Sequence, residues 1–208
     1  MRRAAILPAP LAEVRPGIFY ADLSRLDDDD FNAALDRLAS ARGIIFDLRD
    51  HPHVSYSFLQ HLTDRPLLSA VSLMPLTTRP DRQDVVWTRF QRFLPPKAPR
   101  FHGRIAFLAG GRGFSAIESY LNIVEAYHLG EIVGGPTAGT NGNMIFLNLP
   151  GDYMLSWTGL RTLKVDGSPN EGVGVAPTVP AALTRRGVAA GRDDVLEKAI
   201  AVVQGSTD

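Results

Sequence analysis

The stretch "GRIAFLAGGRGFSAIESYLNIVEAYHLG", residues 103–130, decides how the chain is read. Its first part, Gly103 to Gly110, is a short apolar run bounded by glycine, which predicts a strand buried on both faces. The later part sets Ile117, Leu121 and Val124 at helical spacing, with His128 extending the same face and Gly130 as the stop. Between strand and helix stand Gly110, Gly111 and Gly113, and then Ser115. A buried strand that runs through a glycine turn into a helix is the building unit of an α/β fold, whose parallel strands are covered by helices.

The same pattern recurs on either side. "GIFYADL" (17–23) predicts a strand, and "DDDDFNAALDRLASARG" (27–43) a helix with Phe31, Leu35 and Leu38 on one face and Gly43 as its stop. Asp27 to Asp30 stand at the positive end of that helix. They read as a solvated helix start and not a metal site, because adjacent side chains do not converge on one ion. "GIIFDLR" (43–49) predicts a second buried strand and "SFLQHL" (57–62) a helix. Residues 66–99, rich in proline, suit a hairpin or a mobile cover over a cleft, with Trp87, Phe90 and Phe93 either packed or lining it. After the central helix come a strand "EIVGG", the loop "PTAGTNGN" (136–143) and a hairpin "MIFLNLPGDYMLSWTG" turning at Pro150-Gly151-Asp152. "GRDDVLEKAIAVVQ" (191–204) predicts a capped amphipathic helix. Residues 1–16, with Pro8 and Pro10 and only a brief apolar stretch, make a poor export signal and read as an extended lead-in at the cut edge of a longer protein. One domain, 17–208, follows.

Composition narrows the function. The 208 residues are 45% hydrophobic and 21% charged, enough for a packed core. Lys and Arg number 22 against 22 Asp and Glu, and the basic residues are scattered, which argues against a nucleic-acid surface. The absence of cysteine removes disulfides, thiolate catalysis and cysteine-held metals, and leaves the compartment open. No apolar run approaches the roughly 20 residues of a membrane helix. No metal or organic cofactor is indicated.

Ser115 admits two readings. It is an N-cap, with Glu118 three residues on completing a capping box. Alternatively it is a nucleophile, since a helix start offers unpaired amides and a favourable dipole for an oxyanion, the Ala116 N–H first among them. The stretch lacks the Gly-x-Ser-x-Gly of an α/β-hydrolase elbow. Local chemistry leaves both open.

The order of the motifs adds to this. "GIIFDLRDHP", "GRIAFLAGGRGFSAIESYLNIVEAY", "GEIVGGPTAGTNGN", "LPGDYMLSWTG", "DGSPNEGVGVAPTVP" and "GRDDVLEKAI" form a series. It resembles the catalytic domain of the tail-specific (C-terminal processing) serine peptidases, a family that includes the tricorn core protease. The resemblance spans Gly17 to Val203. It implies a ClpP/crotonase-like spiral of β-β-α units and a polypeptide substrate bound as an extended strand, with no nucleic acid and no membrane insertion. It also implies a cell-envelope or exported setting. Ser115 falls on the family's nucleophile, with the Ala116 N–H as one oxyanion donor. The second donor lies in the turn after "DLR", where Pro52 has no N–H and the amide of His53 or Val54 must serve. The lysine of the processing proteases is matched by Thr140, so a Ser–Lys dyad is unavailable. Lys164 reads as a surface residue. The tricorn-like subtype instead uses a histidine supported by a glutamate, and Glu171 in "NEGVGVAP" matches that glutamate. Its histidine motif is absent here.

Of the five histidines, His61, His128 and His102 read as structural or solvated, while His51 and His53 in the turn are alternative bases. The resemblance therefore implies a serine peptidase whose base comes from a missing N-terminal lobe, nearly inactive as this isolated chain. The alternatives are a decayed peptide-binding or assembly lobe and a crotonase-like acyl-CoA enzyme.

Overall fold

The computed structural model describes residues 7–81 and 83–205. Strands β1 (Leu11–Arg15) and β2 (Ile18–Asp22) turn back on each other through Gly17, whose φ of +73° suits glycine. The lead-in is thus partly an edge strand of the sheet, while residues 1–6 lie outside the described residues. Two short helices follow, α1 (Asp28–Ala33) and α2 (Leu35–Ala39), where the sequence suggests one. The Ala34 N–H bonds to Phe31 O, three residues back, and this tighter turn leaves both Phe31 and Leu38 buried. Asp27 caps α1 by accepting from the Asp30 N–H, as its place at the helix start requires.

Next come β3 (Gly43–Asp47), a 3-10 helix at Tyr56–Leu62 and four strands: β4 (Leu67–Leu68), β5 (Val71–Leu76), β6 (Val86–Phe90) and β7 (Phe93–Leu94). The proline-rich segment is therefore a hairpin, β5 against β6. The stretch 103–130 forms β8 (Arg104–Ala109) and α3 (Ala116–Tyr127). His128 does not extend the helical face; it ends the helix in the left-handed conformation with φ 52°. The rest is β9 (Glu131–Gly134), the hairpin β10 (Met144–Leu149) with β11 (Tyr153–Thr158), β12 (Arg161–Leu163), β13 (Val179–Pro180), α4 (Arg185–Ala189) and α5 (Asp194–Gln204).

The main sheet has the order β1-β2-β3-β8-β9-β13, and all neighbours after the β1–β2 pair are parallel. Every residue of β2 and β3 is buried, as unbroken apolar runs require when both faces are covered. One face packs Phe46, Phe107 and Ile44 against Phe31, Leu38, Leu121 and Val124; the other packs Ile45, Ala106 and Leu108 against Val195, Ala199 and Ile200 of α5. A second sheet, β12-β5-β6, stands beside it. The fold is mixed α/β. Among the described residues no helix is long and apolar enough to cross a membrane.

Candidate active site

Strands β3, β8 and β9 are adjacent and parallel, so the turns leaving their C-terminal ends meet at one edge of the sheet. The turn after β8 carries Ser115. Its backbone sits at φ 55° and ψ −116°, the mirror image of ordinary extended geometry and open at low cost only to glycine. Such strain costs on the order of 1–3 kcal/mol and persists only where neighbours enforce it. The enforcement is visible: the Ser115 N–H donates to Thr140 O at 2.9 Å and the Ala138 N–H to Gly113 O at 2.8 Å, locking the turn against the loop after β9.

Ser115 makes no side-chain cap hydrogen bond, and Glu118 faces the interior. The capping-box reading is thereby overturned. Glu118, 0% exposed, accepts instead from Thr137 Oγ1 at 2.7 Å, the Gly139 N–H at 2.5 Å and Asn170 Nδ2 at 2.8 Å. One buried carboxylate thus joins the first turn of α3 to the "PTAGT" loop and to the "PNEGVG" loop. Glycine makes the close approach of the two loops possible. A Cβ on Gly174, at φ +64°, would stand 2.6 Å from Thr137 Oγ1 and 2.9 Å from the Gly139 nitrogen. Sequence reasoning missed this role for Glu118. The signal was a glutamate in a helix whose neighbours Ile117 and Leu121 are apolar.

The other candidates fall around this clasp. Ser115 and Ala116 are half-buried, and Ala116, as the first helical residue, has no intrahelical partner for its N–H. Glu171 is exposed, and its Oε1 accepts from the Thr162 N–H at 2.8 Å, which docks its loop on β12. Thr140 is exposed and takes part through its carbonyl. The His53 N–H donates to Leu23 O at 2.7 Å and that of Val54 to the same oxygen at 3.4 Å. Both amides expected to serve as the second oxyanion donor are therefore engaged in holding the turn. The side chains of His51 and His53 are exposed in that turn, where Asp50 pairs with Arg112 at 2.9 Å across the edge of the sheet.

The remaining histidines lie elsewhere. His61 is buried, hydrogen-bonded through Nδ1 to Pro99 O at 2.7 Å and stacked on Phe101; burial pushes its imidazole below the usual range. His102 is exposed ahead of β8, and His128 lies at the end of α3 opposite Ser115. Lys164 is less of a surface residue than expected. Its ammonium pairs with Glu125 at 2.7 Å, and the side chain is 13% exposed.

Beneath the turn after β3 runs a buried polar network. The Tyr20 hydroxyl donates to Asp47 Oδ2 at 2.8 Å, and Arg49 binds Asp47 at 2.6 Å and Asp193, the cap of α5, at 2.7 Å. Burial alone would raise the Asp47 carboxyl, but the hydrogen bonds and charge of Arg49 outweigh it and hold it below the usual carboxylate range. Arg49 in turn is held above its ordinary value by its two carboxylates, against the opposing effect of burial. This network fixes the "DLR" turn to α5.

One helical turn beyond Ser115 lies a cavity of about 120 Å³. Its walls include Tyr56, Ser72, Arg92, Ser119, Asn141 and Thr162. Ser119 Oγ donates to Ser115 O at 3.3 Å and accepts from Asn141 Nδ2 at 3.0 Å, so the wall is continuous with the serine turn. Phe90, Trp87 and Phe93 are all exposed, and of the three Phe90 lines the cavity. Among the described residues no group of three histidine, aspartate or glutamate side chains gathers as a metal site.

The family model for Peptidase family S41 matches residues 18–181. The chain belongs to this family. No curated protein matches it. Among solved structures it is similar to a candidate peptidase from Parabacteroides merdae, at 19% identity and a TM-score of 0.75, over 93% of this chain and 63% of that one. It is also similar to mature CPAF in complex with lactacystin, at 18% identity and a TM-score of 0.73, over 90% of this chain and 51% of that one. The photosystem II D1 C-terminal processing protease matches at 18% identity with a TM-score of 0.55, over 86% of this chain and 45% of that one. At these identities the likeness is one of fold, and the S41 chain spans between 45% and 63% of the length of these three relatives. Membership of a peptidase family replaces the acyl-CoA alternative.

Proposed function

We propose that this S41 chain carries the nucleophile of a serine endopeptidase that cleaves polypeptides through an acyl-enzyme at Ser115. In this reading the Ser115 Oγ attacks the peptide carbonyl and passes its proton to a base, which delivers it to the leaving amine; water then releases the acyl group. The Ala116 N–H, at the positive end of α3, stabilises the oxyanion. With the His53 and Val54 amides turned to Leu23, the second donor is assigned to the His51 N–H in the same turn. Glu171 is the carboxylate that orients a histidine, supplied from outside these residues by the lobe expected from the family resemblance. The ClpP/crotonase-like spiral of β-β-α units, an extended peptide along the sheet and a cell-envelope setting belong to the same proposal.

The observation that carries this reading is the backbone of Ser115. A helix cap needs extended geometry and a bonded hydroxyl, whereas Ser115 has φ 55°, ψ −116° and no cap hydrogen bond. Strain held at a serine between a strand and a helix is what a nucleophile presented to substrate requires.

The test is a fluorophosphonate probe read by intact mass and peptide mapping. Because the base lies outside these residues in this reading, excess imidazole is supplied as an external base; slow labelling at Ser115, abolished by Ser115→Ala, is expected, together with negligible hydrolysis of casein by the purified chain. Absence of label at Ser115 in the presence of imidazole overturns the proposal. Rapid proteolysis by the chain alone would transfer the base to His51 or His53.

A further inference from the structure

The cavity beside Ser115 has a chemical bias that the reaction itself does not need. Its walls are mostly hydroxyls and amides, and no aspartate or glutamate is among the described residues that line it. Its one formal charge is Arg92. The backbone of Arg92 is pinned to Ser69 on both sides: its N–H donates to Ser69 Oγ at 2.9 Å and its carbonyl accepts from the Ser69 N–H at 3.0 Å. Its guanidinium lies over the Tyr56 ring, 5.6 Å from the centroid, and forms no ion pair among the described residues. Glu171 meets this wall at the Thr162 N–H, and the proposed function commits it to the base.

Size and polarity act together. At about 120 Å³ the cavity admits a side chain of moderate size, and its hydroxyl and amide walls favour a polar one over an apolar one. A carboxylate on a short stem fits, meets the Arg92 fork and finds the Ser72 and Tyr56 hydroxyls as further donors.

We propose that this cavity binds a substrate carboxylate through Arg92 and thereby makes the site favour an acidic residue whose carbonyl Ser115 attacks. The inference rests on Ser115 being the nucleophile. Ser119 and Asn141 tie the cavity to the Ser115 turn, so the carboxylate entering it belongs to a side chain next to the scissile bond. A carboxylate at the chain's own end has the same chemistry, and the experiment separates the two.

Peptidyl diphenyl phosphonates bearing Glu, Gln, Leu or Lys beside the phosphorus are reacted with the chain in the same excess of imidazole as external base, and labelling of Ser115 is timed by mass spectrometry. The Glu probe is expected to react about tenfold or more faster than the Gln probe. That preference should vanish in Arg92→Gln and turn toward Lys in Arg92→Glu. Arg92 is exposed, so neither substitution threatens the fold, which circular dichroism checks. A tetrapeptide acid that protects Ser115 better than its amide, with protection lost in Arg92→Glu, would assign the carboxylate to the chain end. Equal rates with all four phosphonates and no such protection, while the fluorophosphonate labels Ser115, would overturn the carboxylate site alone. Silence of the fluorophosphonate as well would overturn the nucleophile and this inference with it.

Discussion

Replacing Glu118 should show how much the buried clasp contributes. Its carboxylate is 0% exposed and accepts three hydrogen bonds: Thr137 and Gly139 on Oε1, and Asn170 on Oε2. Glu118→Ala leaves those donors buried without an acceptor, at roughly 1–3 kcal/mol each. A loss of about 3–6 kcal/mol is expected, a large share of the roughly 5–15 kcal/mol that stabilises a domain. Glu118→Gln keeps Oε1 for Thr137 and Gly139 but turns an N–H₂ toward the N–H₂ of Asn170. The conflict has an escape. Asn170 also accepts from Asn122 Nδ2 at 2.8 Å, while Asn122 Oδ1 is buried with no partner among the described residues. If both asparagines turn over, the new glutamine amide donates to Asn170 Oδ1, and Asn170 donates to the otherwise idle Asn122 Oδ1. The cost then falls to about 1–2 kcal/mol. Adding Asn170→Asp supplies acceptors to both neighbours and should recover most of the Glu118→Gln loss. Urea unfolding followed by circular dichroism, with unchanged slope, measures all four proteins. Because the clasp holds the loop whose Thr140 carbonyl takes the Ser115 N–H, Glu118→Gln should also slow fluorophosphonate labelling. The reasoning fails if Glu118→Gln matches the wild type in stability and labelling, or if it costs as much as Glu118→Ala with no recovery from Asn170→Asp.

Three further outcomes follow from particular residues. Ser115→Gly should raise stability by about 1–3 kcal/mol, since glycine takes φ 55°, ψ −116° without strain, whereas Ser115→Ala should leave it nearly unchanged; an unfolding midpoint lower for glycine than for alanine would contradict the strain. Gly174→Ala should lower stability by more than about 1 kcal/mol, because the new methyl meets Thr137 Oγ1 at a positive φ, and a wild-type thermal midpoint would refute this. The Asp47 carboxyl is depressed in the fold, so its contribution is present above the unfolded value of about 3.9 and is lost as pH falls through the lower folded value. Acid titration by circular dichroism should therefore show a stability loss that begins below about pH 4. Asp47→Asn, which leaves buried Arg49 with Asp193 alone, should be less stable by about 3–5 kcal/mol at neutral pH and should flatten that acid limb; an unchanged limb would count against the network.

Much of the fold was legible because period and punctuation are local. The unbroken runs in β3 and β8, the strand at β2, the glycines after β8 and the Pro150-Gly151-Asp152 turn were all placed from sequence. The register Leu149↔Tyr153 agrees with that hairpin turn. The split between α1 and α2 was not visible, because no glycine or proline marks Ala34 and the break follows from seating Phe31 and Leu38 together. The length of α3 was misjudged by one residue, because a left-handed histidine has no reliable local signature.

The candidate site divides in the same way. The family resemblance carried by the motif series already pointed to Ser115, Ala116 and Glu171, and set Thr140 where the processing proteases have their lysine. Where hydrogen bonds go was beyond reach of that series. Ser115 and Glu118 have the spacing of a capping box, and spacing alone cannot tell whether the glutamate turns back to the helix start or inward to Thr137, Gly139 and Asn170. Those partners lie 19, 21 and 52 residues away along the chain. The amide of His53 likewise looked free until Leu23, on a different segment, claimed it. Sequence by itself determined the alternation of elements and the serine at a helix start, since both depend on neighbours in the chain. Tertiary structure decided which carboxylate is buried, which amides remain open and which arginine faces a cavity, since a polar group's partner is set by what the fold brings within about 3 Å.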